Sequence, residues 1–530
     1  MTATTAAPPF VPPAPPARFW VKVGIALVFI ALAEWLFFAH EAGSLFGGFL
    51  LAWTAATIAV QPGFWKNRAA LFAGAISFLL CLITIDRPSP VGVLLFSVSL
   101  SMTALLSLIE SFDDLWLWGQ RLVLHGFISL VGPLLGVWAY HRALPAGQSR
   151  RLWTIAPVVL APLIGGAVFL ALFASANPII SDALEQIRLP RLDFEFIARV
   201  VFGGMVLVAV WSTLSPHLRA PFLASSAGIP NLPGLTLASV TASLVVFNAI
   251  FAIQNILDVA FLWSGAALPS GVTLADYAHR GAYPLIVTAL LAGLFVLVAL
   301  RPGSETARRP LVTGLVVLWI VQNIFLVASS MLRTLDYVGA YSLTRMRIAA
   351  LIWMVLVAVG LALICWRLVR AKSPEWLLGA NAVAVGAVLI VCSIVDLGSI
   401  AAGWNITHAR EVGGKGAGLD LCYLQSLGST GVVSLVELEK KAIDSDLKDR
   451  VAYARLEAVD RLAGQQSDYH GWTWRNARRL QKVEDLRGDA AWTVSRTGGK
   501  RFCNGVWKPV RPTVEIPATP TSPLTPAPVR

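Results

Sequence analysis

Long apolar blocks separated by short polar stretches fill the chain up to Trp404. A helix needs about 20 apolar residues to cross the hydrocarbon of a bilayer. Blocks of that kind lie at 19–39, 45–61, 69–86, 91–109, 122–140, 153–176, 194–215, 237–264, 277–300, 311–336, 344–370 and 375–402. The pattern predicts an all-α fold, a polytopic transmembrane helix bundle of about twelve spans. The block at 45–61 is short, and 153–176 carries Pro157 and Pro162, which would kink it. Between the sixth and seventh blocks, 177–193 alternates apolar and charged residues at helical spacing, as an interfacial amphipathic helix does.

The pattern changes after the last block. Residues 404–510 are charged and polar, with apolar positions recurring every three or four residues in VSLVELEKKAIDSDLKDRVAYARLEAVDRLA. This predicts a small, mainly helical, soluble C-terminal domain behind a transmembrane domain spanning 19–403. A Pro/Ala-rich tail at 1–18 and a Pro/Thr-rich tail at 511–530 read as disordered.

Composition agrees with a membrane protein. Charged residues make up 14% and apolar residues 56% of the chain, against about 25% charged in soluble domains. The net charge of +12 belongs to span ends facing anionic headgroups, and nucleic acid is not expected as a partner. Cys81, Cys365 and Cys392 fall inside apolar blocks, while Cys422 and Cys503 lie in the polar part, where pairing depends on the side of the membrane they face. No metal-ligand spacing or catalytic motif is present, so no cofactor and no enzymatic activity are expected. GGKGAG at 413–418 lacks the GK[ST] of a phosphate loop and follows no strand.

Polar residues inside the blocks carry the functional expectation, because a charge in hydrocarbon costs a few kcal/mol or more. In 237–264, Asn248, Asn255 and Asp258 fall within about an 80° sector of a helix. In 311–336, Gln322, Ser329, Arg333 and Asp336 fall within about a 60° sector. Arg333 and Asp336, three apart, are also placed to pair with each other. The two blocks resemble one another: Gln254-Asn255-Ile256 matches Gln322-Asn323-Ile324, and Val259-Ala260 matches Val327-Ala328. Each leads into a turn rich in Tyr and Arg, one with Asp276, His279 and Arg280, the other with Tyr341, Arg345 and Arg347. This reads as a duplicated helix–turn–helix in one orientation. Its polar faces and turns form a candidate site for an anion or lipid headgroup, since Arg makes bidentate contacts with such groups.

Several segments resemble a known family: AEWLFFAHEAG (33–43), FASANPIISDAL (173–184), LPSGVTLADYAHRGAYPL (268–285), LDYVGAYSLTRMRIAALIWM (335–354) and GLDLCYLQSL (418–427). They are similar to the bacterial membrane proteins grouped as domain of unknown function 4173, close to 4153. The resemblance implies a multi-span protein of the bacterial inner membrane with no assigned reaction. Asn177 and Trp404 depart from that pattern, where Asp and Tyr are usual.

Two functions follow as expectations. One is transport, or interaction with lipids or anions, at the polar site between 237–264 and 311–336. The other is a non-enzymatic scaffold whose C-terminal domain meets a protein partner through WTWRNARRL (472–480). Membrane lipids are partners in either case. Orientation stays open. Arg18 and Lys22 favour a cytoplasmic start, whereas Arg142/Arg150/Arg151, Arg301/Arg308/Arg309 and Arg367/Arg370/Lys372 favour the reverse in an even count of spans.

Overall fold

Prolines and capping side chains set where the helices begin. The computed structural model describes residues 16–109, 115–143, 194–217, 236–264, 309–488 and 501–508, with single positions at 112, 162, 166, 291 and 295. The first helices are α1 (Pro16–Phe37), α2 (Ser44–Val60), α3 (Arg68–Asp86) and α4 (Pro90–Leu106). Asn67 caps α3 by accepting from the backbone N–H of Ala69 at 2.8 Å. Ser89 caps α4 the same way, and Pro90 follows it, where the missing N–H costs nothing. These four pack as neighbours with α7 (Phe194–Leu214) around Phe29, Leu50, Trp53, Leu80, Phe96 and Leu214.

A second group joins α8 (Leu237–Asp258), α9 (Pro310–Tyr341), α10 (Arg345–Val369) and α11 (Pro374–Ile394) around Leu244, Val316, Trp319, Ile320 and Leu361. Seven helices among the described residues are long and apolar enough to span a membrane. The helices α2 and α4, with 17 residues each, are shorter. The spans expected at 153–176 and 277–300, the amphipathic helix at 177–193 and most of both tails lie outside the described residues.

Two of the expected spans are not single helices. The block 122–140 is a pair, α5 (Leu115–Ser129) and α6 (Gly132–Ala143), bent by 79°. The break falls at Leu130–Val131, and Pro133, in the first turn of α6, has no N–H to donate back to Ser129, so the helix cannot run through unbroken. Both ends of the pair lie at one end of the bundle. Trp118 packs with Phe64 and Leu106, beside the α2–α3 turn and the end of α4. Tyr140 stacks on Phe19 at 4.4 Å, at the start of α1. The pair thus enters and leaves on the same face. The block 375–402 likewise stops at Ile394, and α12 (Leu397–His408) starts afresh behind Asp396, whose carboxylate accepts from Gly398 N–H at 3.1 Å.

Helix α12 belongs with α13 (Leu421–Ser426), α14 (Val432–Lys441), α15 (Ser445–Ser467) and α16 (Trp474–Arg487). They share a core of Ile406, Leu424, Leu435, Val451, Leu462 and Val483. Buried Arg455 is neutralised by Glu439 at 2.8 Å. A disulfide from Cys422 to Cys503 fastens α13 to the short segment 501–508. There Arg501 reaches Asp449 at 2.7 Å and lies over the Trp507 ring at 4.0 Å.

This C-terminal unit covers four turns on one face of the bundle. His40, after α1, stacks on His470 at 3.8 Å. A Cβ at Gly43 would collide with the carbonyl oxygens of His470 and Trp472, so only glycine fits that approach. Arg475 donates to Asp86, after α3, at 2.7 Å. The Asn405 side-chain amide accepts from Leu343 N–H, between α9 and α10, at 2.8 Å and donates to Leu343 O at 2.9 Å. Arg475 also donates to the Ile394 carbonyl that ends α11, at 2.8 Å.

Asn67 holds the opposite face together. Beyond its capping role it donates to the carbonyls of Leu106 and Ile109 at 2.9 and 2.8 Å, while buried. Asn67→Ala removes a cap and two buried hydrogen bonds and is expected to cost about 2–3 kcal/mol. Thermal unfolding of the full chain in detergent checks this.

Candidate polar site between two parallel helices

Helices α8 and α9 run side by side in the same direction. Asn248 Nδ2 donates to Leu315 O at 3.0 Å, Asn255 Nδ2 to Gln322 O at 3.5 Å and Trp263 Nε1 to Ser329 Oγ at 3.1 Å. The sequence separations of these pairs stay at 66 to 67, as parallel packing requires. The near-repeat therefore places its two copies against each other, with Asn255 beside Gln322.

Polar groups line this seam because each helix turns its polar sector to the other. Gln322 Nε2 donates to Asn248 Oδ1 at 2.9 Å. At the end of α8 sits Asp258, 1% exposed, joined to Arg333 of α9, 6% exposed, through Arg333 Nη2 and Asp258 Oδ1. Gln254 Nε2 donates to the same oxygen at 2.9 Å. Arg333 lies two turns inside α9, about 12 Å from its end at Tyr341 by helical rise. Directly after Asp258 the helix loosens into a π turn, Val259–Trp263, a distortion common at functional sites.

The seam has acceptors to spare. Asp258 Oδ2, Asn255 Oδ1 and Gln322 Oε1 are buried without hydrogen-bond partners. Unpaired buried acceptors are costly, by about 1–3 kcal/mol each. A guest that donates hydrogen bonds or carries positive charge would relieve them, and an anion would not.

Of the expected site residues, Asn255, Asp258, Gln322 and Arg333 come together here. Asp336 does not: it is exposed, and Arg333 pairs with Asp258 across the seam instead of with Asp336 along its own helix. Arg347 is committed elsewhere. Its Nη1 donates to the carbonyls of Tyr341 (2.6 Å) and Ser342, capping α9, and its guanidinium lies 4.4 Å from the Tyr337 ring centre. Tyr341 is half exposed and packs on Tyr337 with ring centres 4.7 Å apart. Arg345 has an exposed side chain, and its backbone N–H donates to the Tyr423 hydroxyl at 2.9 Å. Asp276, His279 and Arg280 lie outside the described residues. Sequence reading within each helix passes over Gln254 and Trp263 as site groups, since their roles rest on contacts to Asp258 and to the facing helix.

The arginines of WTWRNARRL bind the chain's own bundle. Asp86 accepts from Arg475 and Arg478, and Asp396 from Arg479, with Arg87 at 3.6 Å from Asp396. Burial holds Arg479 down at about 10, helped by neighbouring Arg87 and opposed by Asp86. Arg87 is lowered too, first by burial, then by Arg475 and Arg345. That surface is thus largely spent on docking, although Trp474 stays exposed.

Fold and seam together define a multi-span helical membrane protein with a polar track between paired spans. A family model described as domain of unknown function (DUF4153) matches residues 89–438, and the chain belongs to that family. Of the two family numbers to which the sequence segments point, the match is to 4153. No curated protein and no solved structure matches the chain.

The pair at Asp258 predicts a clear energetic signature. Removing one partner leaves a buried charge, so Arg333→Met should destabilise by about 3–5 kcal/mol. Adding Asp258→Leu should recover most of that loss, because an apolar pair of similar volume replaces the ions. Unfolding of single and double variants in one detergent measures it.

Proposed function

We propose that this is a multi-pass protein of the bacterial inner membrane that transports a proton or a small, hydrogen-bond-donating cation along the α8–α9 seam. The observation that carries the reading is the carboxylate of Asp258, whose one oxygen is held by Arg333 and Gln254 and whose other oxygen is free. Ionisable groups buried within spans mark ion and proton pathways. Asn255 Oδ1 and Gln322 Oε1 extend the row of free acceptors.

In this reading Asp258 is the group that binds and releases the passing charge, and Arg333 is its internal counter-ion. Charge arriving at Asp258 weakens its attraction to Arg333, so occupancy is coupled to how tightly α8 and α9 hold each other. The anion or headgroup reading loses support, because Arg333 is neutralised by Asp258 and Arg347 is bound to backbone carbonyls. The scaffold reading loses the arginines of its contact surface to the docking at Asp86 and Asp396. The C-terminal unit is read here as the soluble domain of the protein.

Vesicles reconstituted with the full chain and a trapped pH dye, with sodium, potassium and ammonium tested as cations, should show ion-driven flux. Asp258→Asn should reduce it at least about tenfold, a barrier change of about 1.4 kcal/mol. Asp336→Asn should leave it unchanged. Flux no faster than in empty vesicles, or undiminished by Asp258→Asn, refutes the proposal.

A further inference from the structure

Among the described residues, contacts between helix ends sort them into two faces of the bundle. The face covered by the C-terminal unit holds the turns after α1, α3, α9 and α11, through His40, Asp86, Leu343 and Ile394. The opposite face holds the α2–α3 turn and the end of α4, joined by Asn67, and the start of α1. It also holds the end of α7, where Gln61 donates to Thr213 O at 3.0 Å and Lys22 to Ser215 Oγ at 3.4 Å. Because α9 ends and α10 begins at the covered face, the start of α9 and the α10–α11 turn lie on the opposite one.

The bent pair α5–α6 settles where the basic loops fall. It begins and ends on the opposite face, so Arg142 at its end stands on the same side as Arg18 and Lys22. Lys66 and Arg68 in the α2–α3 turn, Arg309 before α9, and Arg367, Arg370 and Lys372 around the α10–α11 turn join them. The loops that oppose Arg18 in an even count of spans therefore agree with it once the pair is taken as non-crossing. In the turns of the covered face stand Arg87, Arg345 and Arg347, with Arg199 near the start of α7 paired to Glu34 and Glu195. Lys and Arg in short loops mark the cytoplasmic side, and acidic residues weigh little in that count.

A second observation is independent of charge. The C-terminal unit carries the Cys422–Cys503 disulfide, while Cys81, Cys365 and Cys392 in the apolar helices stay free. Disulfides persist in oxidising compartments and are rare in the cytosol.

We infer that the C-terminal unit stands on the extracytoplasmic side, over the end of the bundle near which Asp258 and Arg333 lie, and that Cys422 and Cys503 are an oxidative modification site completed there. Forming the bond removes two protons and two electrons from the two thiols. The acceptor is a thiol oxidant of that compartment, a protein disulfide that is itself reduced to a dithiol. The bond ties 501–508 to α13, and the Tyr423 hydroxyl of α13 receives the N–H of Arg345. The oxidised staple thus sits one residue from a contact to the α9–α10 turn. The inference does not depend on what the seam carries.

The test uses the full chain in intact cells and a membrane-impermeant thiol reagent without reductant. Ile443→Cys, at a site 95% exposed on the C-terminal unit, should label in intact cells. Lys372→Cys should label only after permeabilisation. The reverse pattern overturns the inference. In unmodified protein, acid-quenched and alkylated, reduction should expose two further alkylation sites, both within peptides holding Cys422 and Cys503. Cys422 and Cys503 already alkylated before reduction would overturn it as well.

Discussion

Two carboxylates at helix ends, Asp86 and Asp396, hold the protein's two halves together. Each lies at the end of an apolar helix and each receives guanidinium groups from α16. Apolar helices in a bilayer have little hydrophobic reason to prefer one arrangement over another, since lipid tails are as apolar as leucine. Polar contacts at their ends then do much of the fixing. Here four turns are bound to one helical unit, whose own core includes Ile406, Leu435 and Val451. Arginine suits this task because it stays charged under desolvation strong enough to bring Arg479 down to about 10.

The polar seam depends on that frame. Helix α9 carries Arg333 within the bundle and leads into Leu343, whose backbone N–H and carbonyl both bond the Asn405 side chain. The register of α9 along α8 is therefore held at two places, by the seam's own hydrogen bonds and by the covering unit. The Asp258 carboxylate is positioned by a helix with a π turn at its end, a local loosening that lets Trp263 reach Ser329.

Much of this is legible in the sequence, for physical reasons that differ by element. Apolar runs show because hydrocarbon thickness fixes a minimum helix length. The polar sectors of α8 and α9 show because helical spacing alone gathers Asn248, Asn255 and Asp258 on one side. The apolar run 122–140 reads as one span, and only the bend at Leu130–Val131 and the contacts of Trp118 and Tyr140 tell that the chain turns back. Pairings across the bundle are hidden, since nothing in the spacing of Arg333 and Asp336 reveals Asp258 as the nearer acid. The basic segment 475–479 looks like a surface for another molecule, because the sequence of an internal interface and of an external one have the same composition.

The parallel contact of α8 and α9 has a consequence for how a duplicated element can diverge. Two copies related by a two-fold rotation would meet through the same positions of each. These copies are related by a shift along one direction, so corresponding residues meet different neighbours. Asn255 faces Gln322, while its counterpart Asn323 turns to the carbonyl of Trp319 at 2.7 Å. Gln254 serves Asp258, while its counterpart Gln322 serves Asn248. The position matching Asp258 is Leu326, buried in the apolar core. A translational repeat lets one copy keep a charge while the other becomes plain packing, without either losing its fit.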